Sequence, residues 1–259
     1  MSKALITKLN GVVDNDSLYR LGELPFIVPA NAAKENTTLE LLLEGNLTFR
    51  IKNTGVYDYN NRVIATKGQT SFTRDSLSST LYRLESDSAG GMFVIPNKYN
   101  IQELKTNLKI DINDNFRWFK GTVLSAPISM NKNIVKNLSD KMKVLFISYE
   151  GDLSAFSKFT SLTSLGFRED KLITGNFSSL GALTKLTNMY LNNLSSLNLK
   201  IEDFVKAQRN AGRTSCDKFN LSCGGTSAVT FNGKLISQWE TILSWTDTQI
   251  TCNGTTIQG

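Results

Sequence analysis

Three stretches of the chain repeat one apolar pattern. Met142-Lys143-Val144-Leu145-Phe146-Ile147, Leu162-Thr163-Ser164-Leu165-Gly166-Phe167 and Leu186-Thr187-Asn188-Met189-Tyr190-Leu191 each carry apolar residues at i, i+3 and i+5. The central residues Leu145, Leu165 and Met189 lie 20 and 24 residues apart (165−145 and 189−165). A coil of that length cannot hide its own apolar face, so neighbouring coils must stack and share a core that runs lengthwise. Leu145, Ile147, Leu165, Phe167, Met189 and Leu191 are therefore expected to point inward. Lys143, Phe146, Ser164, Gly166, Asn188 and Tyr190, which lie between them, are expected to line an exposed sheet.

The period and pattern are those of leucine-rich repeats. Asp152 and Asn176 stand where an N-cap would open the returning half of each coil. Further along, Ile201, Phe204, Val205 and Gln208 mark one face of a helix that stops near Gly212. Lys218–Ser222, Ala228–Phe231 and Gln249–Cys252 read as strands. Phe231-Asn232-Gly233 and Cys252-Asn253-Gly254 close two of them alike. Leu235, Trp239, Ile242 and Leu243 recur at i, i+4, i+7 and i+8, which predicts an amphipathic helix.

The first half has a different rhythm of short strands and turns. Leu39–Leu43 and Leu47–Ile51 flank Gly45-Asn46, and Val56–Tyr59 and Arg62–Ala65 flank Asn60-Asn61, each pattern predicting a hairpin. Thr80–Glu85, Met92–Ile95, Lys109–Ile112 and Phe116–Phe119 are further strand candidates, and Tyr99–Asn107 suggests a short helix. Asp111, Asn113 and Asn115 alternate like a calcium loop, but Phe116 and Thr122 replace its Gly and Glu, so a plain turn is favoured. The fold class expected is α+β. Residues 1–125 form a β-rich, sandwich- or barrel-like domain, 126–136 a linker, and 137–259 a short leucine-rich-repeat-like solenoid.

Asn, Ser and Thr occur 25 times each among 259 residues. These side chains compete with helical hydrogen bonds and favour caps, turns and strands. The chain has no histidine, which removes Ser-His-Asp and Cys-His catalysis and imidazole-based zinc sites. Cys216, Cys223 and Cys252 are an odd number and make a poor zinc set, so buried free thiols are expected. The formal charge of +6 is spread along the chain and argues against a nucleic-acid face. No apolar run is long enough for a membrane span or an export signal. Gly90-Gly91 and Gly224-Gly225 lack a phosphate-loop context, and Glu202-Asp203 reads as a solvated helix exterior. No cofactor, metal or catalytic residue is assigned. Tyr57, Tyr59, Trp118 and Tyr190 are candidates for stacking on sugars or partners.

The opening, Leu5-Ile6-Thr7-Lys8-Leu9-Asn10-Gly11-Val12-Val13-Asp14-Asn15-Asp16-Ser17-Leu18-Tyr19-Arg20-Leu21-Gly22-Glu23-Leu24, resembles that of virion proteins from tailed bacteriophages of gut Bacteroidales, the crAss-like group. The second half is similar to bacterial leucine-rich repeat proteins. The resemblance implies a non-enzymatic component of head, neck or tail, made in the host cytoplasm and present in the virion as a homo-oligomer. Its N-terminal part would dock on other virion proteins, with Gly11–Leu24 as the strip and Val12, Tyr19 and Leu21 as contacts. Its repeat face, with Phe146 and Tyr190, would meet another subunit or a host-surface glycan or protein. The alternatives are a bacterial leucine-rich-repeat adhesin or scaffold and, less favoured, a glycan hydrolase using paired carboxylates.

Overall fold

The computed structural model describes residues 22–75, 79–110, 116–168, 172–191, 194, 198–223, 228–236 and 240–258. Val12, Tyr19 and Leu21, most of the Gly11–Leu24 strip, Gly224-Gly225 and the Asp111–Asn115 stretch lie outside the described residues. The first half supplies β1 (Leu24–Val28), β2 (Leu39–Leu43), β3 (Asn46–Lys52), β4 (Gly55–Tyr57), β5 (Val63–Ala65), β6 (Ser71–Asp75), β7 (Thr80–Glu85), β8 (Gly91–Ile95), β9 (Ile101–Thr106) and β10 (Lys109–Ile110). Next come β11 (Val123–Asn131), helix α1 (Lys132–Val135), β12 (Val144–Asp152), β13 (Ser164–Phe167), β14 (Ile173–Thr174), β15 (Asn188–Tyr190), β16 (Asn198–Lys200) and helix α2 (Ile201–Asn210). The C-terminal part holds β17 (Cys216–Ser222), β18 (Ala228–Phe231), β19 (Lys234–Ile236), β20 (Thr241–Trp245), β21 (Gln249–Cys252) and β22 (Thr255–Gln258). The protein is β-rich, as its composition requires.

One sheet spans both halves, in the order β22-β21-β20-β17-β15-β13-β12-β11-β9-β2-β7-β4-β5. Its middle, from β9 to β17, is parallel, and both flanks are antiparallel. Leu41, Leu104, Leu124, Leu145, Leu165, Met189 and Leu221 are register partners across seven successive strands. None is more than 2% exposed. Burying each such side chain stabilises the fold by about 1.5–3 kcal/mol relative to leaving it in water, so this row is the axis of the core. Threonines just before the strands extend the ladder. The N–H and Oγ1 of Thr163 donate to Lys143 O at 2.8 and 2.9 Å, and those of Thr187 to Thr163 O at 2.9 and 3.2 Å.

Short returning segments cover the inner face. The 3-10 turns Leu153–Phe156 and Phe177–Leu180 and helix α2 bury Phe156, Phe177 and Phe204 against it. Asp152 caps the first turn by accepting from Ser154 N at 2.8 Å. Asn176 holds the equivalent position, but its Oδ1 accepts from Ser178 Oγ instead of a backbone N–H. Helix α2 buries Ile201, Phe204, Val205 and Gln208, the face its periodicity marks, and the chain leaves it through Gly212 at φ +94°. Gln208 is fully buried, and its amide donates to Leu180 O and Gly181 O, both at 3.1 Å.

In the first half a second sheet, β10-β1-β8-β3-β6, lies against the large one. Phe49, Phe72 and Phe93 from this sheet pack on Tyr82 of β7 at centroid distances of 5.7–6.0 Å. The two sheets meet through this aromatic layer, and the first half is β-dominated, as expected.

Several expectations need correction. β2 and β3 do not form a hairpin: β2 pairs with β7 and β9, whereas β3 pairs with β6 and β8. The chain crosses between sheets at Glu44-Gly45, because the apolar sides of β2 and β3 are each buried by a different neighbour. The β4–β5 hairpin forms as expected. Residues 101–106 are strand β9 rather than a helix, since β2 and β11 flank them and satisfy their backbone. Of the expected linker, 126–136, residues 126–131 are the rest of β11 within the large sheet and Lys132–Val135 form α1. The helix expected over Leu235, Ile242 and Leu243 is replaced by β19 and β20. There Leu243 and Trp245 are buried and Ile242 and Ser244 are not, a period of two imposed by pairing with β17. Trp239 lies outside the described residues.

Candidate functional site

The outer face of the parallel strands follows from the same register. One row beside the buried leucines reads Glu40, Lys105, Ser125, Phe146, Gly166, Tyr190, Ser222. The other reads Val123, Val144, Ser164, Asn188, Asn220, Ile242. Lys143 and Tyr190 are exposed and Phe146, Ser164 and Asn188 half-buried, as expected of the open face. Gly166 is buried because two rings cover it.

Those rings are the two candidate contact residues. Phe146 and Tyr190 meet with centroids 4.9 Å apart and planes at 51°. Aromatic pairs in tilted geometry add roughly 0.5–1.5 kcal/mol beyond their burial, which fixes the Tyr190 ring although it is 37% exposed. The other candidate aromatics are placed elsewhere. Trp118 is buried against Phe116 and Phe119. Tyr57 lies under Lys34 Nζ, 4.5 Å from the ring centre, and burial together with Glu85 pushes its hydroxyl up to about 12. Tyr59 projects from the β4–β5 turn, 68% exposed and remote from the ladder.

Beside Tyr190, on the side away from Phe146, the face dips into a recess of about 350 Å³. Asn188, Asn220 and Ser222 lie across it, with Tyr190 and Ile242 at its flanks and Lys218 and Glu240 on its rim. A directed chain of amides crosses the floor. Asn220 Nδ2 donates to Asn188 Oδ1 at 2.9 Å, and Asn188 Nδ2 donates to Ser164 Oγ at 3.3 Å and Thr187 Oγ1 at 2.9 Å. Asn220 Oδ1 ends the chain and accepts from no other described residue.

The sequence reading found Tyr190 and Asn188 but missed Lys218, Asn220, Ser222, Glu240 and Ile242. The alternation of buried Phe219 and Leu221 with Lys218, Asn220 and Ser222 was the available signal for the first three. Ile242 and Glu240 were hidden by the helical reading of 235–243.

A larger, shallower hollow of about 630 Å³ lies on β3, β6 and β8, lined by Thr48, Arg50, Lys52 and Met92 among others. It has no aromatic wall, and Arg50 is engaged by the buried Glu23 carboxylate. The three cysteines are buried and free, and burial chiefly raises the Cys252 thiol to about 11. Among the described residues, no three His, Cys, Asp or Glu side chains are grouped to hold a metal ion, and no helix is long and apolar enough to cross a membrane. On the exterior of α2, Glu202 is half-buried and accepts from Asn232 N, and Asp203 beside it is exposed. Comparison with protein families, curated proteins and solved structures found no match to this chain.

Proposed function

We propose that this chain is a non-enzymatic contact protein of a tailed-bacteriophage particle. The parallel ladder serves as a short leucine-rich-repeat-like solenoid that presents its outer sheet face to another subunit or to the host surface. The observation that carries this reading is the in-register row through Leu145, Leu165 and Met189, which backs an exposed row holding the Phe146–Tyr190 pair. Stacked coils of this kind give a broad surface with little freedom to deform, which suits recognition. The placement in a virion, as a homo-oligomer held by Val12, Tyr19 and Leu21 on other virion proteins, rests on the resemblance of residues 5–24.

Electron microscopy of purified particles that carry an epitope-tagged copy of the chain tests the reading. The expected result is label at one fixed, stoichiometric position. Absence from particles, combined with binding of the purified chain to bacterial cells, would favour an adhesin. Turnover of a glycan abolished by replacing one carboxylate would establish a hydrolase in its place.

A further inference from the structure

We infer that the recess beside Tyr190 is a binding site for an uncharged carbohydrate. This deepens the contact role proposed above and rests on it for its biological setting, although the chemistry of the site stands alone.

A sugar ring offers two kinds of surface, a rim of hydroxyls that both donate and accept and a face of C–H groups. The recess offers the complement of each. Asn188 and Asn220 are linked head to tail through the 2.9 Å bond from Asn220 Nδ2 to Asn188 Oδ1. That bond and the ones Asn188 makes to Ser164 and Thr187 fix both amide planes before any ligand arrives. Bonds in such a chain polarise one another. Its terminal acceptor, Asn220 Oδ1, receives nothing from the described residues, and Asn220 is one of the residues that line the recess. A hydroxyl donated to it would meet an oriented acceptor at little entropic cost.

Tyr190 supplies the apolar counterpart. Its ring centre lies 4.9 Å from that of Phe146, and Tyr190 also lines the recess. The electron-rich face of an aromatic ring attracts weakly positive C–H groups. Ile242, 49% exposed across the recess, provides a second apolar contact. Lys218 and Glu240 bring one charge of each sign to the rim, so the site carries no net charge and favours a neutral ligand over a polyanion. Its volume falls at the low end of the range for small-molecule sites, which suits a short glycan segment.

The probes are glucose, galactose, mannose, N-acetylglucosamine, lactose and cellobiose, titrated into the full-length chain. Binding is read by saturation transfer to the sugar and by the side-chain amide signals of Asn188 and Asn220 in the unaltered protein. The expected result is that at least one sugar shifts those amides. Asn220→Ala and Tyr190→Ala should each weaken its binding by about tenfold or more, while Tyr59→Ala on the distant hairpin leaves it unchanged. The amide signals of the unaltered protein decide the matter even if a variant misfolds. If none of these sugars moves the two amides, or if folded Asn220→Ala and Tyr190→Ala bind as the parent does, the proposal is overturned. Failure here with label still found on particles removes the carbohydrate site alone. Sugar binding without a place in the particle removes the virion reading alone.

Discussion

Phe146 and Tyr190 sit on strands that do not pair, yet their ring centroids are only 4.9 Å apart. β13 runs between them, and strands two apart in a sheet are separated by about 9.5 Å. The rings close that gap by leaning over Gly166, their common register partner. A Cβ built on Gly166 would lie 2.6 Å from Phe146 Cε1 and 3.1 Å from Tyr190 Cβ. The absence of a side chain on the middle strand is what allows the outer two to touch.

Gly166→Ala is therefore expected to destabilise the protein, although alanine is at least as good as glycine in a strand by intrinsic preference. Forcing the two rings apart should cost about 1–3 kcal/mol. Urea denaturation of the variant beside Phe146→Ala/Gly166→Ala checks this. Removing the Phe146 ring should relieve most of the added cost, because the coupling is steric.

Leu165 is flanked by Leu145 and Met189 in the row and is fully buried. Leu165→Ala should cost ~2–5 kcal/mol, the transfer loss plus a cavity that neighbours on both sides keep open. Tyr190→Ala, at a partly exposed site one residue to the open side of Met189, should cost clearly less. Midpoints of chemical denaturation on the two variants would compare them directly, and equal costs would contradict the inward and outward assignment.

Gln208 joins α2 to the 3-10 turn beneath it through bonds to Leu180 O and Gly181 O. Gln208→Leu keeps most of the bulk but removes the donor to Gly181 O and leaves Leu180 O with the Leu183 N–H alone. A loss of about 1–3 kcal/mol is expected. Hydrogen exchange should show the effect first in the amides of α2 and the Phe177–Leu180 turn, because the packing between them weakens before the parallel strands do.

Stability should fall on the alkaline side. Cys252 is raised to about 11 and the Tyr149 and Tyr57 hydroxyls to about 12, each chiefly by burial. The folded state holds these protons more tightly than the unfolded chain, whose Cys and Tyr have values near 9.0 and 10.0. Their contribution is fully present below those unfolded values. It declines as pH rises from about 9 toward 11–12, where the unfolded state has lost protons that the native state keeps. Lys158, lowered by burial, acts in the opposite sense over part of this window but is a single group. With no histidine in the chain, thermal midpoints between about pH 6 and 8 should be nearly flat. A series of midpoints from neutral to alkaline pH would expose either a step near neutrality or a missing alkaline decline.

The parts of this fold that could be read from the chain are those where local pattern and tertiary neighbour agree. Leu145, Leu165 and Met189 announce their row because each strand is buried on one face only, so spacing and type coincide. Ile201, Phe204, Val205 and Gln208 announce α2 for the same reason, at helical period. The failures lie where a neighbour distant in sequence decides the outcome. Ile101–Thr106 becomes a strand because β2 and β11 close on it from both sides. Ile242 and Leu243 look helical in isolation, yet β17 offers an open edge that claims them as β20. Asn220 went unnoticed because its importance lies in being opposite Asn188, 32 residues away, a proximity that only the finished sheet creates.

The parallel run of the large sheet is bounded on both sides by antiparallel strands. On the C-terminal side, β20, β21 and β22 follow the last parallel strand, and β21 turns into β22 through Asn253 and Gly254, both at positive φ. Such a two-residue turn folds the chain straight back, so β22 returns along β21 and does not extend the parallel run. An additional parallel strand would fit most readily between β12 and β15, where Thr163 and Thr187 make the same junction twice. The flanking strands reverse the chain, and the parallel middle is the part that could be multiplied.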